Sequence, residues 1–209
     1  VLYRSDALYP DDELGLPLPG WPPTAVVDLR STAERERCGT AAWPPSTRAY
    51  HVPLLDAAAP HVLDRPLTDL YLHMLDTAGP LIADIAAIIA TAPGSTLVQC
   101  AAGKDRTGVA IAVILLSIGV RPEQVVADYV ATAPNMPGVV ARITARIGVE
   151  LPSFDDLPRY VREAPASAIG AVIEVVSRGP DGAAGWLAGH GASHADLQRL
   201  RARLGSLPP

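Results

Sequence analysis

Three features of this chain predict an α/β fold: a small, mostly parallel central sheet flanked by helices, with additional helices towards the C-terminus. Short β-branched runs alternate with longer helical tracts, the pattern of parallel strands joined by crossover helices. One strand-like run ends in Cys100 and passes through a glycine-containing loop straight into an apolar helix. Hydrophobic residues make up 49% of the 209 and mean hydropathy is positive, so a packed core is expected rather than disorder. That length suits one domain spanning residues 1–209. Aromatics are few and alanine is plentiful, so the core should be mainly aliphatic.

Taken in order, Thr24–Leu29 is a β-branched run behind the Pro/Gly-rich lead Leu16–Pro23, and predicts a core strand. Thr47–Leu54 reads as a second strand with Pro53 near its end, and Thr96–Gln99 as a third, bounded by Pro93-Gly94. Between these two lie helical tracts at Leu67–Ala78 and Leu81–Thr91, with a break expected at Gly79-Pro80. A helix should run from Thr107 to Ser117 and stop at Gly119. Pro122, suited to a first turn, then opens another, with Val125, Val126, Tyr129 and Val130 at helical spacing. No strand signal follows Ala133. Helical tracts are expected at Gly138–Gly148, Ala166–Val176 and Ser193–Leu204, the last with Ser193 as N-cap and Gly205 as stop.

A formal net charge of −5 argues against a general nucleic-acid surface. Two cysteines, Cys38 and Cys100, are too few for a disulfide framework. No signal peptide is legible, and the expected setting is a reducing cytoplasm. The apolar run Val109–Val120 is shorter than the ~20 residues a membrane span requires, so no transmembrane segment is expected. The five histidines form no cluster with cysteines or several carboxylates along the chain, and neither metal nor cofactor is expected. Nothing in the sequence fixes an oligomeric state.

The chemistry concentrates in Cys100-Ala-Ala-Gly-Lys-Asp-Arg-Thr-Gly108. A loop that turns from a strand end into a helix N-terminus presents successive backbone N–H groups, and the helix dipole favours an anion there. Ala101, Ala102, Gly103, Lys104 and Thr107 would line such a cradle. Arg106 can grip two oxygens of a phosphate bidentately. The same positive field favours the thiolate of Cys100, the nucleophilic form. Thr107 is placed to donate its hydroxyl to that sulfur.

Cysteine, five residues, then Arg106-Thr107 resembles the phosphate-binding loop of the cysteine-dependent protein tyrosine and dual-specificity phosphatases. The full Cys100–Gly108 run resembles the bacterial tyrosine/serine branch with lipid-phosphatase character. Leu2-Tyr-Arg-Ser-Asp-Ala-Leu8 and Val26-Val-Asp-Leu-Arg-Ser31 with Glu34 look like two more segments of that branch. The resemblance implies a tyrosine-phosphatase-like fold and hydrolysis of phosphotyrosine, or of phosphoserine/threonine or phosphoinositide, through a phosphocysteine. The partner would be a phosphoprotein or phosphoinositide substrate. In that family a helical insertion serves as a lid, and residues 135–162 have two readings: such a lid or insertion, or helices with a plain packing role. One departure is Gln99, where the family has histidine, so an uncharged amide stands beside the nucleophile.

The reaction needs one group to protonate the leaving oxygen and then deprotonate water. A Trp-Pro-Asp acid loop is absent, since Trp21-Pro22-Pro23 and Trp43-Pro44-Pro45 carry no aspartate. The resemblance points to Asp105 within the loop, with Asp56 as the other candidate. Lys104 has two readings: a charge for a second substrate phosphate, or a solvated rim lysine paired with an acidic neighbour. Asp28, Arg30 and Glu34 also have two readings, contact with substrate or, the one preferred, a strand-end ion pair that secures the loop. Two other functions fit a loop cysteine. One is a catalytically weak phosphate-binding module, marked by Gln99; the other is a rhodanese-like sulfurtransferase, whose loop is typically one residue shorter.

Overall fold

The computed structural model describes residues 1–55 and 66–205. Four strands form one all-parallel sheet: β1 (Leu2–Asp6), β2 (Ala25–Asp28), β3 (Arg48–His51) and β4 (Thr96–Cys100), in the order β1-β4-β2-β3. β4 and β2 are central and buried along their whole length. Both edges are partly solvated. Registers place Asp6 beside Cys100, and Asp28 beside Gln99.

Nine helices accompany the sheet among the described residues: α1 (Thr32–Cys38), α2 (Leu67–Thr91), α3 (Asp105–Ser117), α4 (Pro122–Val130), α5 (Met136–Ile147), α6 (Arg159–Arg162), α7 (Ala166–Val176), α8 (Gly182–Gly189) and α9 (His194–Leu204). α2 packs on β2, and α3 on β1 and β4. Behind them α7, α8 and α9 make an outer layer, α7 touching both α2 and α3. The shared core is aliphatic, as composition predicts, and includes Val27, Val98, Ile82, Ile85, Val109 and Val113. Tyr71 and Tyr129 are its fully buried polar exceptions.

The strands expected near residues 25, 48 and 96 are present, the second ending at His51 ahead of Pro53. Three corrections concern the remaining elements. β1 was not foreseen, because Leu2-Tyr-Arg-Ser-Asp6 has neither apolar alternation nor a β-branched run; pairing with β4 holds it extended. α1 and the glycine-rich α8 likewise lack an apolar period. For α1 the legible signal was Ser31-x-x-Glu34, which forms a capping box with both bonds made.

The third correction is α2, which runs unbroken through Gly79-Pro80. Proline there removes one backbone bond and costs about 3 kcal/mol. Pro80 itself faces solvent, while the buried stripe stays in phase on both sides, from Tyr71, Met74 and Leu75 to Ile82, Ile85 and Ile89. Each such isoleucine contributes roughly 1.5–3 kcal/mol by burial, so packing outweighs the lost bond. Gly79 lets a neighbour approach, since a Cβ there would strike the His190 ring at the end of α8. By length and composition α2 could also cross a membrane, unlike the shorter Val109–Val120 run. Here 56% of its apolar window is buried inside the fold, as befits a core helix.

Candidate active site

Cys100 is the last residue of β4, 2% exposed, and the loop 101–104 carries the chain into α3. Among the described residues, the backbone N–H groups of 101 through 107 donate to no carbonyl or side chain; the first internal bond is Gly108 N–H to Lys104 O at 2.7 Å. Buried amides are almost always paired. A run without internal acceptors at a strand end and helix N-terminus is an anion-binding arrangement. Gly103 is the left-handed member, with φ +65°.

Arg106 is not free. Its two η nitrogens donate to the two carboxylate oxygens of Glu34, at 2.6 and 2.7 Å, and Nη1 also reaches Leu29 O at 3.4 Å. Burial alone would pull the Arg106 guanidinium down, but the Glu34 bond and the charges of Cys100, Glu34 and Asp105 hold it above its ordinary value. Burial would likewise raise Glu34. The bonds and charge of Arg106 and the Ser31 bonds outweigh that and hold its carboxyl below the usual range. Glu34 Oε2 accepts from the Ser31 N–H at 2.7 Å as well, so the N-cap of α1 and the arginine clamp share one oxygen. A strand-end pair was expected from Asp28, Arg30 and Glu34. Asp28 and Arg30 do form it, fully buried, at 2.7 Å. Glu34 makes its ion pair with Arg106 of the loop itself.

Lys104 follows neither expected reading in full. It is 1% exposed, and its Nζ donates to Asp105 Oδ1 at 2.7 Å and to the Tyr160 carbonyl at 2.9 Å. The acidic partner is as foreseen, but the solvated rim position is not: a lysine followed by a helix start turns inward when α6 supplies a carbonyl over it. Asp105 also accepts from Tyr71 at 2.6 Å on the same Oδ1. Burial, then the charge of Asp105, push the Tyr71 phenol up; burial dominates for Tyr129 too. Both phenols stay protonated, so Tyr71 donates to Asp105 and Tyr129 donates to Tyr71 at 2.6 Å. Nothing local to the loop marked these tyrosines, which arrive from α2 and α4. The other acid candidate, Asp56, lies outside the described residues.

Thr107 was expected to bond the Cys100 sulfur. Its buried Oγ1 has no partner in the protein, because α3 starts at Asp105 and the residue sits inside its first turn. Gln99 is 1% exposed and accepts the Leu8 N–H at 3.2 Å, tying β4 to the segment after β1. No cluster of three or more potential metal ligands occurs among the described residues.

The region of the expected lid contains α5, a 3₁₀ turn at Phe154–Asp156, and α6. α5 is tied to the segment after β1. Arg142 pairs with Asp6 at 3.1 Å and Asp12 at 2.9 Å, Arg146 pairs with Asp11, and both guanidinium groups flank the Tyr9 ring.

A family model described as the tyrosine phosphatase family matches residues 1–206. The chain is 28% identical over 158 residues to the triple specificity protein phosphatase PtpB of Mycobacterium tuberculosis, covering 59% of this chain and 57% of that protein. It is 32% identical over 126 residues to a tyrosine-protein phosphatase of Nostoc commune, covering 56% of this chain and 42% of that protein. The chain thus spans about half the length of the curated relatives it matches.

Proposed function

This chain belongs to the tyrosine phosphatase family, and from that premise we propose that it is a phosphoric monoester hydrolase acting on phosphotyrosine through a phosphocysteine intermediate. The observation that carries the reading is the run of backbone N–H groups at 101–107 without internal acceptors, directly following Cys100. Arg106 supports it. Glu34 accepts one N–H from each η nitrogen, and a guanidinium has five N–H donors. The Nε–H and outer Nη2–H edge remains for a phosphate while Glu34 fixes its direction.

In the first step the Cys100 thiolate attacks phosphorus. An S–P bond forms, the ester O–P bond breaks, and the leaving oxygen takes a proton from Asp105. In the second, water attacks phosphorus and gives its proton to Asp105; the S–P bond breaks, returning the thiolate and releasing inorganic phosphate. Both internal donors to Asp105 converge on Oδ1, which supports Oδ2 as the atom that carries the transferred proton. The buried Lys104 is already bonded to Asp105 and Tyr160, so a single aryl phosphate suits the loop better than an inositol ring with several phosphates. The Lys104–Tyr160 bond also supports residues 135–162 as the cover of the site.

The test is turnover of p-nitrophenyl phosphate by wild type and Cys100→Ser, with rapid-quench trapping of the labelled thiophosphate. Hydrolysis that survives in Cys100→Ser would refute the mechanism. Side-by-side kcat/KM on phosphotyrosine, phosphothreonine and phosphoinositide substrates decides the substrate class. Asp105→Asn should flatten the basic limb of the kcat profile; a limb that stays and disappears instead in Asp56→Asn transfers the role to Asp56.

A further inference from the structure

The Gly103–Lys104 peptide is gripped from outside the loop. Arg4, on edge strand β1, donates from Nη2 to the Gly103 carbonyl at 2.8 Å and to Thr132 Oγ1 at 3.0 Å. Its Nη1 donates to Asp128 at 2.6 Å, so α4 and the turn after it hold the guanidinium in place. The loop also presses on the end of β1: a Cβ on Gly103 would lie 2.5 Å from the Ser5 carbonyl carbon and oxygen.

This peptide is trans, and in a trans peptide the C=O and the following N–H point in opposite directions. Drawing the Gly103 oxygen to the Arg4 guanidinium therefore turns the Lys104 N–H away from it, to a side where it meets no acceptor in the protein. Glycine populates positive and negative φ with similar ease, so this is the loop peptide most prone to rotate. A rotated peptide would aim a carbonyl oxygen at a bound anion.

We propose that Arg4 is a positioning residue for catalysis, fixing the Gly103–Lys104 peptide so that the Lys104 N–H faces the phosphate. The inference rests on the phosphate-cradle reading above and extends it to a residue that touches no substrate. Arginine suits the task because its planar fork serves three acceptors at once, which a lysine ammonium does not do in one plane.

Tungstate, a phosphate-shaped oxyanion, tests this by calorimetric titration in the Cys100→Ser background. Adding Arg4→Met should raise the tungstate Kd about tenfold, the worth of one well-aimed donor to an anion. Tyr3→Phe, which removes the neighbouring β1 bond to the Pro19 carbonyl, should leave Kd within about twofold of the parent and so controls for loosening of the strand. With Cys100 present, Arg4→Met should raise KM for p-nitrophenyl phosphate and lower kcat, and Tyr3→Phe should change neither. In the unsubstituted protein the Lys104 amide proton should move downfield when tungstate is added, a measurement that needs no variant to fold. Equal tungstate affinity in Arg4→Met, an equal loss in Tyr3→Phe, or an unmoved Lys104 amide would each overturn the inference. If the unsubstituted protein neither binds tungstate nor hydrolyses the aryl phosphate, the phosphatase reading itself falls. If it does both while Arg4→Met matches it, the role of Arg4 alone is refuted.

Discussion

At the residue scale, Glu34 is where the site depends most on a side chain outside the loop. Its carboxylate closes the N-cap of α1 and fixes Arg106 with the same oxygen. Glu34→Gln keeps the shape but can accept from Arg106 on only one atom, so kcat/KM should fall about tenfold, equivalent to about 1.4 kcal/mol of transition-state stabilisation. Steady-state kinetics on p-nitrophenyl phosphate would read this; an unchanged kcat/KM would count against the clamp. Tyr71→Phe removes the donor to Asp105 and strands the buried Tyr129 hydroxyl. It should cost about 1–3 kcal/mol in urea unfolding and lower kcat, with the amount of thiophosphate trapped per enzyme unchanged. The spacing of Cys100 and Arg106 was legible because chemistry fixes it along a short stretch of chain. Glu34 was legible as a member of an ion pair that secures the loop but not as the partner of Arg106, and Tyr71 was not legible at all, since both stand far away in sequence and only the fold brings them in.

At the scale of elements, sequence signal and structure agree where one periodicity or one cap governs a segment, as in α3, α7 and α9. They misled where tertiary packing overrides local preference. Pro80 reads as a stop, yet it occupies the solvent side of a helix whose other side is buried throughout. Pro80→Ala restores an N–H that can reach the Asp76 carbonyl one turn back, and should stabilise the protein by about 1–3 kcal/mol. A urea midpoint that does not rise would mean that proline constrains the unfolded chain by as much as it disrupts the helix. β1 shows the converse case. It has no strand pattern of its own, and it is extended because β4 offers it a ladder.

At the scale of the molecule, two carboxyls give the stability curve opposing slopes in acid. Glu34 is held below its ordinary value, so its contribution is fully present above about pH 4.3 and is lost as pH falls through its folded value. Asp6 is held above its ordinary value, burial outweighing the opposing Arg142 charge. Its favourable contribution is therefore complete below about pH 3.9 and is lost as pH rises through its folded value. Asp6 Oδ2 lies 3.1 Å from Arg142 Nε, but the two are not aligned as a hydrogen bond. Thermal unfolding across pH should show Asp6→Asn more stable than wild type at neutral pH, with the advantage vanishing near about pH 3. Glu34→Gln should be less stable at neutral pH and flatter in acid. Equal melting temperatures for Asp6→Asn and wild type at pH 7 would contradict this account.

The strand order sets a timetable as well as a geometry. β4 is the last strand to be made and the only one that β1 pairs with among the described residues. Residues 2–6 must therefore wait for some ninety-odd more to leave the ribosome, a delay of roughly 5–20 s at common synthesis rates. Until then neither Arg4 nor Gln99 can meet the partner that ties the first strand to β4 and its loop. Cys100 and the run of amides after it thus take their places together with the first strand, and a half-made chain has neither in position.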